Sequence, residues 1–162
     1  MKRICRSVKF GVANLISWLP VIWNDRNWDY WFIYVIIRKK LDDTRKSLKK
    51  YHNHVHWERD YDNISKVVFA LDRLIDNNYS DMVYKELEEE FGELKMSSKK
   101  IENKNLYEMI FTRDKVDYSD EKQVERLDRK TKQAINREKY LREQDKKFVF
   151  DQMYKHIDSW WD

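Results

Sequence analysis

Residues 23–31 read Trp-Asn-Asp-Arg-Asn-Trp-Asp-Tyr-Trp, and the rest of the chain is organised around this stretch. Its nine residues hold three indoles, a phenol, two carboxylates and a guanidinium, a composition that neither a helix nor a strand requires. The stretch follows the single proline, Pro20, and precedes the most hydrophobic run, residues 30–37. Because proline disfavours helical angles at the residue before it, we expect the first helix to end near Trp18 and the chain to turn here.

The last three residues, Trp160, Trp161 and Asp162, repeat the chemistry of this turn. The final helix becomes apolar only from Phe148 onward, so its C-terminal end needs a large apolar partner. The start of the second helix is the most apolar partner available. We therefore expect the two Trp/Asp clusters to pack against each other, with the carboxylates of Asp162 near Arg26.

The composition favours long helices with few connections. Two glycines and one proline are too few for a protein of many tight turns, which makes β-sandwiches and barrels improbable. No glycine-rich loop is present, so the P-loop and dinucleotide-binding classes are excluded. The predicted fold is all-α: one domain spanning residues 1–162, a small helical bundle with a long antiparallel helix pair. A Trp-rich core occupies one end and a charged projection the other.

The predicted elements follow from apolar periodicity and capping residues. A second helix spans residues 28–55, and a third begins near residue 60 with an apolar stripe from Ile64 to Ile75. Ser80 and Gly92 bound a fourth. Lysine and serine in residues 93–104 predict a mobile linker.

The last helix is expected to begin at an N-cap, Ser119, and to run to the C-terminus. Glu138 and Asp145 lie beside its apolar seam. A carboxylate in such a position needs a cationic partner, for which Arg26 or a histidine is the expected kind.

The first helix, over residues 2–19, is amphipathic and basic. A helix of this kind either lies on a membrane surface or, more commonly, packs on its neighbours. Its apolar stripe consists of Val8, Val12, Leu15, Ile16 and Leu19. No apolar run reaches the roughly 20 residues that a membrane span needs.

Two sets of residues are candidates for binding. Indoles that stack on bases, together with a guanidinium, predict a nucleotide-like ligand, although aromatic residues also fill the cores of small bundles. Clustered cations predict contact with nucleic acid, although Asp42 and Asp43 interrupt their run. The ligand or partner site would comprise Trp23, Asp25, Arg26, Trp28, Asp29, Trp160, Trp161 and Asp162. The basic surface would comprise Arg38, Lys39, Lys40, Arg45, Lys46, Lys49 and Lys50.

Signatures of catalysis and of metal binding are weak. His52, His54 and His56 would share one side of an extended segment and are the only candidates for a metal site, but no established ligand motif accompanies them. No nucleophile elbow or di-iron motif is present. We therefore expect neither a metal nor a cofactor, and no enzymatic activity.

At Trp-x-Asp-Arg-x-Trp-Asp (residues 23–29) and at Lys-His-Ile-Asp-Ser-Trp-Trp-Asp (residues 155–162), the chain resembles small proteins encoded by tailed bacteriophages. The resemblance covers nearly the whole chain and implies expression in the cytoplasm of a host bacterium, without attaching a function. Small accessory phage proteins often bind a host factor, including a defence enzyme. The chain is therefore predicted to be a non-enzymatic accessory protein that binds a host protein, for example as a counter-defence inhibitor. The alternatives are a nucleotide-sequestering protein and a virion or nucleic-acid-binding component.

Overall fold

A computed structural model describes residues 2–23, 25, 29–52, 54–101 and 106–160, with side chains from residue 6 onward. The protein is mostly helical. The elements in chain order are α1 (Lys2–Ile22), α2 (Trp31–Tyr51), α3 (Trp57–Asp76), α4 (Tyr79–Phe91), β1 (Leu94–Lys100), β2 (Tyr107–Arg113) and α5 (Glu121–His156).

The chain, for which we predicted one domain, divides into two compact units. The first unit contains Met1–Asp76 and Asp145–Asp162, and the second contains Asn77–Gln144. Helix α5 therefore contributes its N-terminal part to the second unit and its C-terminal part to the first.

Helices α2 and α3 form the antiparallel pair of the first unit. The indole N–H of Trp31, at the start of α2, donates to the carbonyl of Ile75 near the end of α3 at 3.0 Å. At the opposite end of the pair, Lys49 Nζ lies 5.7 Å from the ring centroid of Tyr61. From the sequence we predicted antiparallel packing of the second helix against the last one. In the structure, the antiparallel pair consists of the consecutive helices α2 and α3.

The predicted apolar stripe of α3 is confirmed, because its central residues are buried. It meets the apolar side of α2, and Val149 of α5 and Trp160 are also excluded from solvent. The buried residues of α3 are Ile64, Val67, Val68, Ala70, Leu71 and Leu74, and those of α2 include Phe32, Leu41 and Leu48.

The first two helices differ from the predicted spans at their ends. Helix α1 continues through Pro20 to Ile22, a turn beyond the predicted end. A proline in the last turn removes only one backbone donor, and the amide of Trp23 still donates to the carbonyl of Leu19 at 3.0 Å. Helix α2 ends at Tyr51 because His52 adopts a left-handed conformation with φ of 49°.

The second unit has a smaller core between α4 and α5. Its buried residues are Val83, Leu87, Phe91 and Ala134. The predicted Gly92 cap is confirmed: its φ is 84°, and a side chain there would also collide with the carboxylate of Asp114. Arg113 holds the same corner by donating to the carbonyl of Gly92 at 2.6 Å.

A β-hairpin replaces most of the predicted linker, so the all-α prediction is wrong in this region. Strand β1 pairs with β2 in antiparallel register, from Leu94 opposite Arg113 to Lys100 opposite Tyr107. β-Branched and aromatic residues in β2 favour the pleated conformation, and each opposes a residue of β1. Residues 102–104 of the predicted linker lie outside the described residues.

The predicted need of Glu138 and Asp145 for partners is met by residues that we did not name. In the first unit, Asp145 accepts from Arg73 of α3 at 2.5 Å. In the second, Glu138 accepts from the hydroxyl of Ser80 at 3.2 Å. The predicted Ser80 cap is wrong, because α4 begins at Tyr79 and Ser80 lies within its first turn. The last helix begins after Asp120, whose carboxylate accepts from the amide of Lys122, and not after Ser119.

Trp160 and Trp23 provide a matched test of the core, because their side chains are 1% and 74% exposed. We expect Trp160→Ala to lower the free energy of unfolding by about 3–5 kcal/mol, the usual cost of deleting a buried aromatic side chain. Trp23→Ala should change it by less than about 0.5 kcal/mol. Urea unfolding followed by far-UV circular dichroism measures both, and equal midpoints would contradict the burial of Trp160.

Candidate interaction surfaces

The structure describes only part of the Trp/Asp turn. Its described members are either exposed to solvent or hydrogen-bonded to the backbone of α2. Trp23 projects into solvent. The carboxylate of Asp29 accepts from the amide of Trp31 at 3.1 Å, so this aspartate caps the first turn of α2. Asp25 is also exposed. The other predicted members, Arg26, Trp28, Trp161 and Asp162, lie outside the described residues.

Trp160 has the opposite environment from Trp23. Its side chain is in the interior, and its indole Nε1 is buried without a hydrogen-bond partner in the described structure. A buried ring offers no free face on which a base can stack. The hypothesis of a nucleotide-like ligand therefore depends on Trp23, Arg26, Trp28 and Trp161, and it stays a prediction.

Several cations of the basic surface on α2, namely Arg38, Lys39, Arg45 and Lys46, pair with carboxylates of the same unit. Arg38 donates to Asp72 of α3 at 2.8 Å, and Lys39 lies 2.6 Å from Asp43. The hydrogen bond to Asp72 raises the pKa of Arg38 further above its ordinary value. Cations held in this way are less available to phosphates than free ones, so the surface carries less effective charge than its sequence indicates.

Asp42, which we had counted as an interruption of the basic run, is the centre of this network. Its carboxylate is buried, and it lies 2.5 Å from Arg45 and 2.7 Å from Lys46. Burial opposes its ionisation, but the hydrogen bonds from Lys46 and Arg45 outweigh burial and lower the pKa of Asp42 below its ordinary value. Arg38 adds a weaker contact at 4.0 Å.

Two further cations of this surface contact aromatic rings. Lys49 and Lys50 lie over the rings of Tyr61 and Tyr51, with Nζ 5.7 and 4.9 Å from the ring centroids. Lys40 is exposed. These contacts hold the lysine stems along aromatic surface at the C-terminal end of α2, where positive charge is favourable.

The three histidines do not converge. His52 stacks on Trp57, with ring centroids 4.1 Å apart, while His54 Nε2 lies 3.6 Å from the buried carboxylate of Asp60. His56 is exposed. No group of three His, Cys, Asp or Glu side chains within the described part of the chain is arranged to hold a metal ion.

A cleft of about 230 Å³ lies between α4 and α5 in the second unit. Its floor is apolar, and its rim is bridged by ion pairs: Glu86 with Arg137 at 3.1 Å, and Glu90 with Lys130 at 3.8 Å. General acid–base catalysis requires two groups with separated pKa values in one cleft. Here each of these two carboxylates is paired with a cation of the facing helix. The groups around the cleft therefore join α4 to α5 and do not form an acid–base pair.

The hairpin carries an exposed apolar face that sequence reasoning missed. Residues that pair across the two strands point to the same face of the sheet, as Met96 and Phe111 do. Both strands have one unpaired edge in the described structure, since the sheet contains only these two strands. The exposed apolar residues of this face, which we call the hairpin face, are Leu94, Met96, Tyr107, Met109 and Phe111.

Helix α1 carries a second exposed apolar surface. The predicted stripe is present, and its residues are exposed to solvent in the described structure. Contact with α2 is made instead by Ser17, whose hydroxyl accepts from Lys39 at 2.9 Å, and by Trp18, whose ring lies 5.6 Å from the same ammonium. We call the outward side the α1 stripe; it consists of Val8, Val12, Leu15, Ile16, Leu19, Ile22 and Trp23.

Among the helices as described, none is both long and apolar enough to cross a bilayer. Comparison with protein-family models, with curated proteins and with solved structures gave no match. The resemblance to phage proteins therefore stays a prediction, and the surfaces themselves carry the functional argument.

Asp42 provides a test of the charge network. We expect Asp42→Asn to lower the free energy of unfolding by about 1–3 kcal/mol, because buried charge-assisted hydrogen bonds are lost. Since the folded-state pKa of Asp42 is lowered, the ionised carboxylate stabilises the fold above the ordinary aspartate pKa, and that contribution is lost as pH falls through the lowered value. The variant should therefore lose part of the acid sensitivity of the wild type.

The neighbouring Asp43→Asn variant is the matched control, because Asp43 is half-exposed and pairs only with Lys39 in the described contacts. Its cost should be under about 1 kcal/mol. Urea unfolding at neutral and acidic pH measures both variants. Equal losses for Asp42 and Asp43 would show that the buried carboxylate is not the centre of the network.

Proposed function

We propose that the protein is a non-enzymatic interaction protein that binds a host protein through its β-hairpin. The observation that carries this proposal is the hairpin face, five large apolar side chains exposed on a two-stranded sheet. A two-stranded hairpin is marginally stable in water and gains stability when another element covers it. Exposed apolar side chains grouped on one face are typical of protein–protein contacts.

The edge of the hairpin indicates how the partner is held. A free strand edge offers unpaired backbone N–H and C=O groups, with which an extended segment of another protein can pair. Strand β1 contains Lys95, Lys99 and Lys100 and no acidic residue. Opposite charges facing each other across neighbouring strands are favourable, whereas like charges are not. The occupant that fits is therefore an extended segment with acidic residues, added beside β1.

The same chemistry disfavours a second copy of the chain at this edge. Antiparallel pairing of β1 with another β1 centred on Ser97 would place Lys95 opposite Lys99 on both sides. Lysines on an edge strand commonly prevent such self-association. An acidic segment has no such conflict, so a different protein is the favoured partner.

The resemblance to small tailed-phage proteins supports a host bacterium as the source of that partner and the host cytoplasm as the place of binding. A counter-defence role, in which the bound host protein is a defence enzyme, is the form of this proposal that suits a small accessory protein. The paired carboxylates of the cleft between α4 and α5 support a function without catalysis. Nucleic-acid binding is less supported, because Arg38, Arg45 and Lys46 already contact carboxylates.

Met96 and Met82 provide the matched variants for this proposal. Both belong to the second unit, and their side chains are 65% and 64% exposed, but only Met96 lies on the hairpin face. With a partner purified from host lysate, we expect Met96→Lys to weaken binding at least about tenfold, because a charge replaces an apolar contact. Met82→Lys should bind within about twofold of the wild type. Calorimetric titration measures both.

Hydrogen exchange on the same complex locates the contact. Backbone amides of residues 94–100 should exchange more slowly when the partner is bound, because new hydrogen bonds form along the edge. Amides of residues 121–140 should not change. Protection confined to α5, or equal weakening by both methionine variants, would contradict binding through the hairpin.

A further inference from the structure

The α1 stripe is not used by the proposed function, and its composition identifies a different kind of partner. We propose that α1 lies on the surface of an anionic membrane, with its apolar stripe in the lipid interface. The proposal goes beyond binding of a host protein, since it concerns another surface and another class of partner.

The first observation is the direction of the stripe. An amphipathic helix of a soluble protein normally turns its apolar side toward the core. In α1 the residues of the stripe are exposed, with Ile16 at 67%, and contact with α2 is made by Ser17 and Trp18, which lie off the stripe. The helix is therefore attached to the first unit by one side and presents its apolar side outward.

The second observation is the charge around the stripe. The first 24 residues contain no carboxylate, whereas they contain the four cations Lys2, Arg3, Arg6 and Lys9. Helical periodicity places Lys9 beside the stripe and Arg6 on the opposite side. A helix that groups large apolar residues on one side, and whose charged residues are all cations, is typical of binding to anionic lipid headgroups. Lysine and arginine then reach the headgroups while the stripe enters the interface.

The third observation is the aromatic residue at the end of the stripe. Trp23 is the most exposed tryptophan of the described chain. Its amide continues the hydrogen bonding of α1, so helical spacing groups it with Val12 and Ile16. Indoles favour the boundary between headgroups and acyl chains, where one part of the ring is apolar and the N–H is hydrated. The helix is about 30 Å long at 1.5 Å per residue, so the whole stripe can lie in the membrane plane.

A groove on a protein partner is the alternative occupant for such a helix. A protein groove would be expected to offer carboxylates at specific positions and to depend on individual cations. A lipid surface instead responds to total charge and to buried apolar area, with affinity that falls as salt is added. The absence of every carboxylate over the first 24 residues favours the lipid surface.

Ile16 and Asn14 provide the decisive pair of variants. Ile16→Asp and Asn14→Asp change the net charge by the same amount and lie two positions apart, but only Ile16 is on the stripe. The test is sedimentation of full-length protein with vesicles of phosphatidylcholine, with and without phosphatidylglycerol. We expect wild-type protein to bind the phosphatidylglycerol vesicles, and to bind them less at physiological than at low salt.

The two variants should then separate. Ile16→Asp should lower partitioning more than about tenfold, because the apolar side chain is replaced by a charge. Asn14→Asp should lower it by about fivefold or less, the effect of one charge near the surface. Since both positions are exposed, circular dichroism should show unchanged helix content, and both variants should still bind the partner of the hairpin.

Three results would overturn the proposal. Wild-type protein that stays in the supernatant with anionic vesicles at low salt is the first. Equal binding to neutral and anionic vesicles is the second. The third is equal loss for Ile16→Asp and Asn14→Asp. A concentration-dependent dimer that Ile16→Asp abolishes, in protein that does not bind vesicles, would assign the stripe to a second copy of the chain.

Discussion

Packing of the α3 stripe against α2 is the interaction on which the first unit depends. Ile64, Val67 and Leu71 are fully excluded from solvent, and burial of apolar area is the dominant favourable term in folding. An ion pair between Arg38 and Asp72 joins the two helices, and a second one between Arg73 and Asp145 joins α3 to α5. The buried stripe therefore determines which sides of the helices meet and supplies most of the stabilisation, while the part-exposed ion pairs add little.

The ion pairs of α2 also determine which surfaces remain available to partners. In the sequence, the basic run of α2 is a candidate for binding phosphates. In the structure Asp42, Asp43 and Asp72 already bind most of its cations. The apolar groups on the hairpin and on α1 are exposed to solvent in the described part of the chain. Function is therefore better sought on the apolar surfaces than on the charged one.

Features that depend on local spacing could be predicted from the sequence. Features that depend on contacts between distant parts of the chain could not. The α3 stripe and the Gly92 cap follow from spacing and from backbone conformation, so both could be predicted. The hairpin was missed because lysine and serine occupy most of β1, which is not a typical strand composition. Its apolar face becomes apparent only when β1 is paired with Phe111 and Met109 of β2. Likewise, the amphipathic character of α1 is local, but the direction of its apolar side depends on the rest of the fold.

Residues of the same type also differ in exposure, because burial depends on contacts between distant parts of the chain. Trp23 and Trp160 belong to clusters of similar composition, yet one is exposed and the other is in the core. Composition alone treats them as one site. The surroundings of each exposed apolar surface then distinguish its partner: free backbone edges and lysines suit a polypeptide with acidic residues, whereas a hydrogen-bonded helix has no backbone groups to offer along its length. What α1 offers is apolar area and positive charge, the two properties that a lipid surface recognises.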